Sequence, residues 1–141
     1  MTLSIQNLSV VIVSFYSEDV IHDCIKSIPN EIKIIVVDNS GDKLFKENIE
    51  KKYNNVECIL SSENLGMGPG NNLGLRYVKT DYAFILNPDV ILKKNTIDEI
   101  ISESNKIQHF SIIAPISNKE DYPNYQLDDL KHQTKHTLNP F

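Results

Sequence analysis

Two runs of β-branched residues, Ser9–Tyr16 (SVVIVSFY) and Ile32–Val37 (IKIIVV), do most to narrow what this chain can fold into. Both are apolar almost from end to end, without the alternation of a strand that keeps one face wet. Such strands need cover on both faces, and a parallel sheet obtains it from the helices that cross between its strands. The segment between the two runs fits that requirement. Ser17 stands where a cap belongs, and Glu18 and Asp19 lie in the first turn, where the helix dipole favours them. Val20, Ile21, Cys24, Ile25 and Ile28 then fall on one helical face, and Pro29-Asn30 ends it.

The same alternation continues down the chain. Gly41 and Asp42 open a second helix with Phe45, Ile49 and Tyr53 inward, and Val56–Leu60 is a third strand. A third helix is expected from Gly70 to Val78, followed by a fourth strand at Tyr82–Asn87 whose apolar run also predicts burial on both faces. Thr96 and Glu99 are spaced as a capping box for a fourth helix carrying Ile97, Ile100, Ile101 and Ile107. Phe110–Pro115 (FSIIAP) reads as one more strand. The expected fold is α/β, a Rossmann-like, doubly wound, mostly parallel sheet of about five strands alternating with helices. Residues 1–116 form the expected domain and 117–141, which lack a clear periodic face, a loop and loosely packed tail.

Charge narrows the partners. The net charge is −5, and the basic residues cluster no further than pairs such as Lys51-Lys52 and Lys93-Lys94. A phosphate-backbone binder needs a positive stripe, so nucleic acid is not an expected partner. A small anionic ligand would need a metal ion or backbone N–H groups. No stretch has the length of a membrane span, and Met1–Leu8 is too short and polar for a signal peptide, so the expected location is cytoplasmic, with peripheral attachment to the inner membrane face left open. Cys24 and Cys58 lie on apolar faces and read as reduced core thiols.

The polar residues follow a rule. Ser14 and Tyr16, Asp38 and Asn39, the Gly-rich stretch 61–74, and Asn87 with Asp89 all sit at or just after carboxyl ends of strands. Open α/β sheets bind ligands along that edge. Pro88 stops the fourth strand because it has no N–H for the ladder, and it leaves two oxygen-bearing side chains, Asn87 and Asp89, on either side. They suit a divalent metal and phosphate site, or a simple turn. The stretch 61–74 holds four of the five glycines, yet Gly66, Gly68, Gly70 and Gly74 do not make a dinucleotide fingerprint, because Asn71 stands at the third required position. Its use would be close backbone approach to a ligand, with Asn71 and Asn72 near a helix N-terminus. The histidines, His22, His109, His132 and His136, show no ligand spacing and are expected to be incidental.

In order along the chain stand Val10-Val11-Ile12-Val13-Ser14-Phe15-Tyr16, Ile34-Ile35-Val36-Val37-Asp38-Asn39-Ser40, Asn64-x-Gly66-x-Gly68-x-x-Asn71-Asn72-x-Gly74 and Phe84-x-Leu86-Asn87-Pro88-Asp89-Val90. Together they resemble the nucleotide-sugar-binding N-terminal half of a family 2 glycosyltransferase of the GT-A fold. They are most similar to the rhamnosyltransferase-like branch, with N-P-D in place of D-x-D. The resemblance spans residues 8–116 and implies inverting transfer of a sugar from a UDP- or dTDP-sugar to a hydroxyl of an acceptor glycan or lipid-linked glycan, in polysaccharide biosynthesis. It gives Ser14, Phe15 and Tyr16 a nucleobase-contact role, sets Asp38, beside Asn39, to accept the pyrimidine N3–H, and lines the nucleoside with Asn64, Gly66 and Asn71. It places Mg²⁺ or Mn²⁺ at Asp89, with Asn87 as a neutral ligand or orienter.

The resemblance leaves the catalytic base unknown. Glu120-Asp121 carries the letters of a base motif close after Asp89 and reads as solvated loop charge. The alternatives are a truncated nucleotide-sugar-binding module without its own base, or one half of a two-chain transferase. In either case the isolated chain is expected to transfer negligibly, and self-association or a partner chain supplying the acceptor half is expected. A nucleotidyltransferase would show a Gly-rich loop with a basic residue after the first strand, where Ser14–Asp19 has neither.

Overall fold

The computed structural model describes residues 2–107 and 110–114. After a short 3-10 turn at Ile5–Asn7, strands and helices alternate: β1 (Leu8–Ser14), α1 (Glu18–Ser27), β2 (Lys33–Asp38), α2 (Lys43–Lys52), β3 (Val56–Leu60), α3 (Met67–Leu75), β4 (Tyr82–Leu86) and α4 (Thr96–Ser104). The described strands form one four-stranded, wholly parallel sheet in the order β3-β2-β1-β4. The chain steps outward from β1 to β3, then returns to place β4 on the other side of β1. That reversal opens a crevice at the carboxyl ends of β1 and β4, the usual ligand position in such sheets.

Successive side chains of a strand point to opposite faces, so each face has its own cover. Val10, Ile12, Ile34, Val36 and Cys58 meet Ile21, Cys24 and Ile25 of α1, Phe45 and Ile49 of α2 and Ile97 of α4 in one buried cluster. On the other face, α3 lies against β1 and β2, and glycine is what lets it come so near. A Cβ on Gly70 would meet Val13 Cγ1 at 3.0 Å, and one on Gly74 would meet Val11 Cγ1 at 2.5 Å. Side-chain bonds finish the frame. Asn105, just past α4, brackets Leu3 by accepting from its N–H and donating to its carbonyl, both at 2.8 Å. His22 Nδ1 lies 3.1 Å from the Tyr53 hydroxyl, which ties α1 to the end of α2. His22 is thus a structural contact rather than an incidental one, and burial is the largest cause that pulls its pKa down.

Several sequence expectations need correction. The sheet has four described strands, not five: Phe110–Ala114 joins no ladder, and Ile112 is 88% exposed. Apolar letters make a strand only where a neighbour offers hydrogen bonds; here the Phe110 ring stacks on Tyr82 at 5.9 Å instead. β4 is not covered on both faces, since Ala83 and Ile85 are exposed while Leu86 is buried. α3 begins at Met67 rather than Gly70, so most of the Gly-rich stretch is helix and not loop. The capping box at Thr96 is absent: Asn95 takes the cap position, and Glu99 N–H bonds its backbone carbonyl at 2.9 Å.

Both cysteines are free and buried. No helix among the described residues is long and apolar enough to cross a membrane. The expected boundary at residue 116, the tail, Glu120-Asp121, His109, His132 and His136 lie outside the described residues.

Candidate functional site

The site is built from strand ends that the sheet register brings together. Ser14 and Asp38 are direct partners at the ends of β1 and β2, and Asn39 N–H donates to the Ser14 carbonyl at 2.8 Å. Leu86, the last residue of β4, pairs with Ile12, so the chain leaves β4 beside the end of β1. Ser14, Asp38, Asn39, Asn87 and Asp89 therefore line one edge.

At the end of β1 the apolar code breaks off and two aromatic rings emerge. Phe15 is 47% exposed and Tyr16 78% exposed, their centroids 4.6 Å apart and their planes tilted by 59°. Tyr16 has φ 52°, the one positive φ among the described non-glycine residues. A bulky residue in that region is strained, and such strain concentrates at ligand-binding positions. The Ser17 hydroxyl bridges the Phe15 N–H and carbonyl and holds this turn. What the turn presents is a pair of exposed, mutually tilted aromatic rings beside polar strand ends.

Asp38 is only 1% exposed, and its carboxylate shapes the turn into α2. Oδ2 accepts from the Ser40 hydroxyl at 2.7 Å and from Asp42 N–H at 3.0 Å. Oδ1 takes only Ser40 N–H, at 3.4 Å, and so keeps most of its accepting capacity. Burial, with the charge of Asp38 as the next cause, pushes the Cys58 thiol up to about 12. Asn39 Nδ2 donates to the Gly66 carbonyl at 3.1 Å, fastening the start of α3 to the end of β2. Gly66 itself has φ 72° and ψ −173°, a conformation that only glycine adopts readily, and its N–H bonds Asn64 Oδ1 at 3.0 Å.

Three buried side-chain oxygens among the described residues have no hydrogen-bond partner: Ser14 Oγ, Asn39 Oδ1 and Asn71 Oδ1. Buried polar atoms without partners are rare in folded proteins, because each forfeits its bonds to water. All three belong to the predicted site.

On the other side of β1, Asn87 and Asp89 are exposed and flank Pro88 in a turn. Val90 N–H closes that turn onto the Asn87 carbonyl at 3.3 Å, and the Cys24 thiol reaches the same carbonyl at 3.5 Å. Burial, then the charge of Asp89, pushes the Cys24 thiol up to about 11, so it keeps its proton. No group of three or more His, Cys, Asp or Glu among the described residues could hold a metal ion. The donor set here is one carboxylate and one amide oxygen. It is too sparse for a protein cage but suits a hard cation that completes its shell with water and diphosphate oxygens.

The expected residues thus meet along one edge, with the aromatic pair and the N-P-D turn at the β1 and β4 ends and the Asp38, Asn39, Gly66 and Asn71 group at the β2 end. Sequence reading passed over Ser40 and Asp42 as the groups that fix Asp38, and over Cys24 and Ser27 behind the N-P-D turn. Ser40 and Asp42 were legible as a polar cluster after a strand; Cys24 and Ser27 carried no signal beyond their place on α1.

The pattern of the family described as Glycosyl transferase family 2 matches residues 9–139, continuing past residue 116 into the segment expected as a tail. The low-salt glycan biosynthesis hexosyltransferase Agl10 of Haloferax volcanii is 31% identical over 124 residues, covering 84% of this chain and 39% of that protein. Among solved structures, S. aureus TarS 1–349 in complex with UDP superimposes with a TM-score of 0.61 at 23% identity, over 71% of this chain and 32% of that one. The mannosyltransferase PcManGT of Pyrobaculum calidifontis, in complex with GDP-Man and Mn²⁺, gives a TM-score of 0.65 at 12% identity, over 84% and 37% of the two chains. These neighbours share the GT-A fold, and the chain spans about 39% of the length of the hexosyltransferase it matches.

Proposed function

The chain belongs to glycosyl transferase family 2, and from that premise we propose that it binds the donor of an inverting sugar transfer, a UDP- or dTDP-sugar, along the carboxyl edge of its sheet. The observation that carries the proposal is the set of buried, unpartnered oxygens, Ser14 Oγ, Asn39 Oδ1 and Asn71 Oδ1, all at that edge. In this reading the exposed Phe15–Tyr16 pair stacks on the base. Asp38 Oδ1, short of donors, accepts the imide N–H of uracil or thymine, for which a carboxylate is a strong partner. Adenine has no ring N–H on that edge and is disfavoured; guanine offers N1–H beside its amino group, so GDP is the stringent comparison. Asn64, Gly66 and Asn71 border the nucleoside. Asp89, with Asn87 beside it, would hold Mg²⁺ or Mn²⁺ against the diphosphate. Such an ion offsets negative charge on a departing nucleoside diphosphate. Transfer to a glycan hydroxyl also needs a base, and no described residue is assigned that role. Donor binding without transfer, in a binding module or in one half of a two-chain enzyme, is the second reading.

Calorimetry with UDP, dTDP, GDP and ADP, each with and without Mn²⁺, tests the proposal. UDP and dTDP are expected to bind at least tenfold more tightly than the purine nucleotides, a gap of about 1.4 kcal/mol, and to gain from Mn²⁺. Equal affinity for all four overturns the base assignment, and preference for GDP moves the chain toward GDP-sugar donors.

A further inference from the structure

The N-P-D turn has one backbone bond of its own, Val90 N–H to the Asn87 carbonyl at 3.3 Å. Residues 87–92 belong to no strand or helix, yet Asp89 must be placed to within a fraction of an ångström if it is to meet a cation and a diphosphate at once. The segment alternates: Val90 and Leu92 pack against the core cluster, while Asp89 and Ile91 face outward. Its two ends are tied to one helix. At the start, the Cys24 thiol of α1 donates to the Asn87 carbonyl at 3.5 Å, and at the far end Leu92 N–H donates to Ser27 Oγ at 3.0 Å. Ser27 is itself aimed, because its hydroxyl donates to the Cys24 carbonyl at 2.7 Å and so turns a lone pair toward Leu92. Cys24 and Ser27 lie one helical turn apart, so α1 fixes the span between the two ties, and Asp89 falls between them.

We infer that Cys24 and Ser27 are positioning residues for the metal-and-diphosphate turn: α1 acts as a splint whose two side-chain bonds, at Asn87 and Leu92, set where Asp89 stands. The inference rests on the reading of Asp89 as the cation's carboxylate. The same helix begins at Glu18, with only Ser17 between it and the Phe15–Tyr16 pair, so one rigid element spaces the proposed base-stacking rings from the turn proposed to meet the diphosphate. Groups that orient a metal ligand commonly change metal affinity on the order of tenfold when removed, although they never touch the ion.

The test is a Mn²⁺ titration of the full chain at saturating UDP, followed by the electron paramagnetic resonance signal of free Mn²⁺, with UMP affinity measured in parallel without metal. Ser27→Ala and Cys24→Val each remove one tie, and Ser27→Thr and Cys24→Ser restore the oxygen or the donor. Asp89→Ala is the reference. The expected result is a Mn²⁺ midpoint raised on the order of tenfold in Ser27→Ala and Cys24→Val, unchanged UMP binding, and recovery in the two conservative variants. If Cys24→Val does not fold, Ser27→Ala alone decides. Should Asp89→Ala abolish Mn²⁺ binding while Ser27→Ala and Cys24→Val leave it intact, the splint is wrong and the site reading stands. Weakening of Mn²⁺ and UMP binding in equal measure makes the two residues merely structural and also overturns the inference. Metal dependence that survives in Asp89→Ala removes the premise, and the splint falls with it.

Discussion

In the proposed reading Asp38 has two tasks for one carboxylate. Oδ2 is occupied by the Ser40 hydroxyl and Asp42 N–H, which shape the entry to α2, while Oδ1 has one long bond and is the oxygen proposed to accept from the base. The two oxygens can be separated by mutation. Asp38→Asn swaps one acceptor oxygen for an amide donor and removes the charge, and a hydrogen bond to a charged group contributes about 1.5–3 kcal/mol. UDP affinity should therefore fall by roughly 10- to 100-fold. Ser40→Ala removes a partner of Oδ2 only, so it should cost about 1 kcal/mol of stability and leave UDP affinity nearly unchanged. Calorimetry on both variants checks this, and equal losses of UDP affinity would mean that Asp38 acts by shaping the turn.

The helix that carries Gly70 and Asn71, α3, is the helix the sequence described least well. MGPGNNLGL combines low helix propensity with no continuous apolar stripe, so a loop was the natural reading as far as Gly70. Tertiary contact decides otherwise, because Gly70 and Gly74 let the helix backbone settle onto Val11, Val13 and Val37. β1 and β2, by contrast, were legible because burial on both faces leaves no room for polar letters. The candidate site stood out by contrast with them: Ser14 and Asp38 end apolar strands with polar letters, and Asn39 follows at once. The packing of α3 gives a sharp expectation. Gly74→Ala places a methyl 2.5 Å from the stiff, buried Val11 side chain and should destabilise the protein by about 1–3 kcal/mol. A Cβ on Gly68 meets nothing within 4 Å, so Gly68→Ala should be neutral or stabilise by up to about 1 kcal/mol. Urea unfolding of the two variants measures both signs; a stabilised Gly74→Ala protein would show that α3 sits further from the sheet.

Across the whole molecule the sheet is unevenly protected. β1 and β2 each have a strand on both sides and helices on both faces, and Val10, Val11, Ile12, Ile34 and Val36 are 0–1% exposed. β4 has β1 as its single neighbour among the described strands, and Ile85 on its far face is 46% exposed. Free edges and uncovered apolar residues are where pairing with another segment or chain starts. Local opening follows the same gradient, since a strand held on one side breaks fewer contacts to exchange its amides. Hydrogen exchange should therefore show β1 and β2 opening only with global unfolding and β4 opening at a lower free energy. Adding UDP and Mn²⁺ should slow exchange most at the Asn39, Gly66 and 87–92 segments, where the strand ends meet the proposed donor. If β4 is instead as protected as β1 without ligand, a segment beyond the described residues or a second copy of the chain covers its edge. A concentration series separates those two, because only the second copy makes the protection depend on how much protein is present.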